Sequence, residues 1–129
     1  DYDYDANDSF IASVRFANGA LGVIHATRWA SGDANTVALK VSGDKGSIDW
    51  VETRKDGLDL RTCLGEDVHS DKWTPIESPK GKSTYERFAE SIRDGVQGWT
   101  SFESAAKVQA YLEYSFISAD KGGFVKIEF

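Results

Sequence analysis

The chain has no methionine, one cysteine, two prolines and two histidines among its 129 residues, and each shortage removes a class of explanation. The lone Cys63 cannot form an internal disulfide, which fits a reducing compartment and leads us to expect a cytoplasmic protein. With only His25 and His69 beside it, no metal-ligand spacing arises. No apolar run approaches the roughly 20 residues that a membrane-spanning helix needs, and no stretch resembles a signal peptide. Fifteen Lys and Arg against 21 Asp and Glu give a net charge of −6 without a basic cluster, so neither nucleic acid nor an anionic membrane is an expected partner. The missing methionine, with the opening Asp1-Tyr2-Asp3-Tyr4-Asp5, leads us to expect a domain cut from a longer protein.

Chemical signatures are equally scarce. The sequence has no G-x-G-x-x-G, no G-x-x-x-x-G-K-[ST], no G-x-S-x-G and no H-E-x-x-H, so no catalytic, cofactor-binding or metal-binding residue is assigned from motifs. The acids from Asp1 to Asp8 lack the D-x-D-x-D-G pattern of a calcium loop and read as a strand start or a linker remnant.

What is present is folding information. Asn18-Gly19 lies between two apolar runs, the pattern of a two-residue type I′ hairpin. Pairing Ala17 with Ala20 would put Phe10, Ala12, Val14 and Phe16 on one face with Leu21, Val23, His25 and Thr27. The opposite face would then carry Ile11, Ser13 and Arg15 with Gly22, Ile24 and Ala26.

After a loop from Ala30 to Asn35, alternation predicts strands over Val37–Ser42, Ser47–Trp50 and Leu58–Leu64, the second entered through Gly43-Asp44-Lys45-Gly46. Trp73 to Glu77 reads as an edge strand, because Pro75 lacks a ladder N–H. Ser83-Thr84-Tyr85-Glu86 is a capping box for a helix ending at Gly95, and Thr100-Ser101-Phe102-Glu103 a second, for a longer helix ending at Gly122-Gly123. Phe124 to Phe129 alternates as a closing strand.

Strands followed by helices predict an α+β fold: one mostly antiparallel open sheet with two C-terminal helices packed on one face, residues 1–129 forming a single domain with a core of its own. The uncovered face, with Ile11, Ile24 and Ala26, is then a candidate surface for another subunit or for a missing part of a parent protein.

His25 is expected to be a structural histidine on the core face, His69 solvated, and Cys63 structural. The polar constellation to weigh is Arg28 to Asn35. It leaves the end of a strand, where Arg28, Trp29, Asp33 and Asn35 are candidate contacts for a hydroxylated or acidic small molecule. The alternative is a solvated connection in which Arg28 pairs with a nearby acid.

Several of these stretches, in their order, resemble a known family. They are Val14-Arg15-Phe16-Ala17-Asn18-Gly19-Ala20-Leu21-Gly22, Ala26-Thr27-Arg28-Trp29-Ala30-Ser31-Gly32, Val41-Ser42-Gly43-Asp44-Lys45-Gly46-Ser47-Ile48, the helix from Tyr85 to Gly95, Ser101-Phe102-Glu103 and Gly123-Phe124-Val125-Lys126. Together they are similar to the C-terminal domain of Gfo/Idh/MocA oxidoreductases.

The resemblance implies a parent in which an N-terminal Rossmann domain binds NAD or NADP and carries the Glu-Lys-Pro lysine. It also implies an Asp-x-x-x-His pair upstream of Asp1, and a C-terminal sheet face that forms homo-oligomers. The present residues would be the substrate-side and oligomerisation domain of an enzyme acting on a sugar, inositol or related polyol, inactive alone and binding no cofactor. The loop corresponding to Arg28–Asn35 approaches the substrate in some relatives. The alternatives are a non-catalytic ligand-binding or assembly module, or part of an NAD-dependent glycosidase.

Overall fold

The computed structural model describes residues 7–78 and 81–129, so the acidic opening from Asp1 to Asp5 lies outside the described residues. The fold class is α+β: among the described residues six strands precede two α-helices, in two compact units, Asp1–Pro79 and Lys80–Phe129.

In the first unit the strands form two antiparallel sheets rather than one. A hairpin pairs β1 (Ser9–Arg15) with β2 (Leu21–Thr27), and a meander takes β3 (Val37–Gly43), β4 (Gly46–Thr53), β5 (Gly57–Leu64) and β6 (Thr74–Pro75) in chain order. The separation has a local cause. In the connection after β2, Ser31 N–H donates to Trp29 O, Asp33 N–H to Ala30 O and Thr36 N–H to Asp33 O, each at 3.1 Å. These bonds close tight turns within the loop and none hands β3 to β2 as a ladder partner.

The hairpin turn is not type I′. Gly19 N–H donates to Phe16 O at 2.9 Å, Phe16 N–H donates to Ala20 O at 2.9 Å, and Gly19 takes φ 90° while Asn18 stays out of the positive-φ region. This is a three-residue connection, a turn followed by one left-handed glycine. Asn18 acts instead through its side chain, whose Oδ1 accepts from Ala20 N–H at 3.1 Å.

The extra loop residue slips the expected register by one, and with a side-chain period of two a slip of one inverts the partner strand. Phe10, Ala12 and Val14 therefore share a face with Ala26, Ile24 and Gly22, not with His25, Val23 and Leu21. Phe16 closes that face by laying its ring against Gly22, where an added Cβ would stand 3.1 Å from the ring edge. The exposed face carries Ile11, Leu21 and Val23 at 72%, 77% and 71% exposure. Ile11 lies on the open face as expected; Ile24 and Ala26 belong to the other, and His25 is exposed rather than in a core.

The meander also has two unlike faces. Val37, Leu39, Val41, Ile48, Trp50 and Leu60 line one, while Lys40, Asp49 and Arg61 stand in a row across the other. Its tightest point is Gly46, whose φ of 139° and position 2.3 Å from Cys63 O to a would-be Cβ leave no room for any side chain. The edge strand is shorter than expected. Thr74 and Pro75 pair with Thr62 and Arg61, and Ile76 N–H reaches Leu60 O at 2.8 Å. Pro75 sits where its missing donor faces no further strand. Thr62 and Cys63, side by side on β5, are the buried residues among those described.

In the second unit, α1 (Thr84–Asp94) begins at the expected capping box and stops at Gly95 with φ 63°. The other helix, α2 (Phe102–Lys121), is capped by Ser101, one residue later than its box would have it, and ends at Gly122 with φ 64°. The segment from Phe124 to Phe129 is irregular and not the expected strand, because no ladder partner lies beside it among the described residues.

Candidate functional site

The loop after β2 is anchored by residues that the true register brings together. Ser9 and Thr27 are directly opposite, with hydroxyls 2.6 Å apart, and Thr27 Oγ1 accepts from Trp29 N–H at 3.1 Å. One step outward, Asp8 lies beside Arg28, whose N–H donates to Asp8 O at 3.0 Å. The Asp8 carboxylate then serves both loop side chains: Oδ2 accepts from Trp29 Nε1 at 3.3 Å, and Oδ1 lies 3.8 Å from Arg28 Nη1. Both remain open to solvent, the Arg28 side chain at 78% and Trp29 at 76%.

Asp33 and Asn35 sit farther along the loop, fixed by backbone turns. Gly32 takes φ 95° and Asn35 φ 56°, a left-handed conformation that Asn tolerates better than most residues. Among the described residues no hydrogen bond or ion pair joins either of them to Arg28 or Trp29. The structure thus groups Arg28 with Trp29 and leaves Asp33 and Asn35 apart. Asp8, grouped from sequence with the acidic opening, belongs to the first pair. The signal that points to it is the hairpin register, which sets residue 8 against residue 28 once Ser9 faces Thr27.

A second polar cluster lies on the meander. Arg61 donates to Asp49 Oδ2 through Nε at 3.0 Å and Nη2 at 2.7 Å, which raises the guanidinium pKa further above its ordinary value. Lys40 Nζ and Arg61 Cζ lie 5.1 and 5.4 Å from the centre of the Trp73 ring. Charge and ring satisfy one another, so the cluster reads as a structural clamp across β3, β4 and β5 onto Trp73.

The remaining candidates separate by burial. Cys63 is 7% exposed and donates its S–H to Asp67 O at 3.2 Å, tying β5 to the short 3-10 turn Gly65–His69. His69 ends that turn, exposed. No group of three or more His, Cys, Asp or Glu gathers among the described residues. A recess of about 460 Å³ along α2 is lined by Glu103, Lys107, Glu128 and Phe129. Its Lys107 already pairs with Glu103 at 2.7 Å.

The model of the oxidoreductase family's C-terminal alpha/beta domain matches residues 2–127. The chain belongs to the Gfo/Idh/MocA family. Over 56 residues it is 39% identical to a levoglucosan dehydrogenase of Pseudarthrobacter phenanthrenivorans, a match covering 43% of this chain and 14% of that protein. No solved structure matches significantly.

Gfo/Idh/MocA oxidoreductases are typically NAD(P)-dependent, and the described helix starts of this domain differ from those that hold a dinucleotide. A pyrophosphate is held by free N–H groups at a helix start reached through a glycine-rich turn from a strand. At α1, Ser83 Oγ accepts from Glu86 N–H at 3.2 Å and Glu86 Oε2 accepts from Ser83 N–H at 2.7 Å; at α2, Ser101 Oγ accepts from Ser104 N–H at 3.1 Å. Each start thus carries its own side-chain cap, and neither follows a glycine-rich turn from a strand. The hydrogen bonds from Ser83 also hold the Glu86 carboxyl below its usual range.

Proposed function

We propose that this Gfo/Idh/MocA domain is the substrate-side and oligomerisation part of an NAD(P)-dependent oxidoreductase acting on a sugar, inositol or related polyol, and that the domain alone is inactive. The observation carrying the proposal is the open Arg28-Trp29 pair held on Asp8. An aromatic face and a guanidinium presented side by side suit a ring that is apolar on its faces and hydroxylated at its edges. The levoglucosan dehydrogenase relative, whose named substrate is an anhydrosugar, supports the same class.

On this reading the dinucleotide and the proton-transfer groups belong to an N-terminal Rossmann domain, and residues 1–129 supply the wall facing it. The exposed row Ile11, Leu21 and Val23 supports a role as a subunit contact, since adjacent apolar side chains on one sheet face gain most by being covered.

The test is nicotinamide reduction by the full-length protein with NAD or NADP and a panel of levoglucosan, glucose and inositol. The expected result is turnover of at least one polyol by the full-length protein and no dinucleotide binding by residues 1–129 in titration calorimetry. Tight dinucleotide binding by those residues alone, or a full-length protein inert towards the whole panel, would overturn the proposal.

A further inference from the structure

We propose that Asp8 is a positioning residue that sets how Arg28 and Trp29 meet the substrate, an inference resting on the polyol reading above. Two hydrogen bonds and one ion pair converge on this residue. Its carbonyl fixes the Arg28 backbone at 3.0 Å, one carboxylate oxygen takes the Trp29 indole N–H at 3.3 Å, and the other lies 3.8 Å from the Arg28 guanidinium.

The arrangement divides each side chain by function. Binding the indole at its N–H edge fixes the ring plane yet leaves its face open, and a ring face is what stacks on a sugar. Arg28 meets Asp8 through one terminal nitrogen, so its other N–H groups remain available to hydroxyls. Thr27 and Ser9 hold the backbone beneath, so rotation of these two side chains is the freedom left for Asp8 to remove. Exposed long side chains lose entropy on binding, and a residue that orders them beforehand lowers that cost.

The test uses the full-length protein with 5-fluorotryptophan, its Trp29 signal assigned by loss in Trp29→Phe, and levoglucosan with NAD as the probe reaction. Asp8→Ala is expected to raise KM about tenfold with kcat within about twofold, the loss expected from one hydrogen bond to a charged group. It should also shift the Trp29 fluorine signal and leave the melting temperature in place. Asp8→Asn, whose amide oxygen still accepts from the indole, should restore the fluorine signal and part of the KM. An active wild type whose KM is unchanged in Asp8→Ala overturns this inference alone, as does a KM loss accompanied by a matching fall in melting temperature. A wild type that oxidises no polyol overturns the functional reading and this inference with it.

Discussion

The β1–β2 hairpin and the β3–β6 meander are both antiparallel, but only the meander has a polar face closed by its own side chains. Across that face Asp49 bridges to Arg61, and Lys40 and Arg61 lie over Trp73, so three strands and the residue before the fourth are tied without outside help. The hairpin has no such clamp. Its cross-strand polar links are Ser9 to Thr27 at its open end and the Asp8 contacts beyond, and its exposed face offers Ile11, Leu21 and Val23 to water. A two-stranded ribbon is marginal in isolation, whereas three or more strands with a packed face persist. The element carrying the candidate substrate loop is therefore also the one most dependent on neighbours, as binding elements often are.

The most severe way to break the meander is Gly46→Ala. The new Cβ would meet Cys63 O at 2.3 Å and Leu64 Cδ2 at 2.6 Å on a backbone with φ 139°, so a loss of about 3 kcal/mol or more is expected in denaturant unfolding. Gly19→Ala at the hairpin turn meets open space and carries only the cost of a positive φ, about 1 kcal/mol. Equal losses at the two glycines would contradict the difference in crowding.

Asp49→Asn should lower the denaturation midpoint by less than Gly46→Ala and alter Trp73 fluorescence, because the pairing that holds Arg61 over the ring weakens. An unchanged spectrum would mean that the ring and the ion pair act separately. A control outside both sheets is α1. Glu86 has its folded pKa lowered below the ordinary 4.5 by the Ser83 hydrogen bonds. Its contribution is therefore fully present above the unfolded value and is lost as pH falls through the lower folded one. Circular dichroism should register an acid-side loss of helix that Glu86→Gln removes. The smallest effect on stability, within about 0.5 kcal/mol, is expected for Val23→Ser on the open hairpin face. Sedimentation of the full-length protein should nonetheless show weaker self-association if that face is the subunit contact.

Local chemistry made much of this chain readable. Ser83 and Glu86 close a capping box, Gly95 and Gly122 adopt left-handed stops, and Pro75 lies at the sheet edge, each as its side chain requires. The readings that failed depended on a choice among near-equal local options. Asn18-Gly19 is compatible with either a two-residue or a three-residue connection, and the slip of one residue moved Val23 and His25 away from Phe10, Ala12 and Val14. Asp8 was hidden for the same reason, since its partners are 20 and 21 positions away and become neighbours only in the correct register. The Trp73 clamp brings together strands separated by whole turns, which no short pattern encodes.

The α+β class, the order of strands and helices, the helix caps and the family were legible along the chain, because these rest on side-chain type, spacing and motif order. Tertiary structure decided the hairpin register, the division into two sheets and the joining of Asp8 to Arg28 and Trp29. Each of these turns on which distant backbone groups pair, and a shift of one residue reverses which side chains meet.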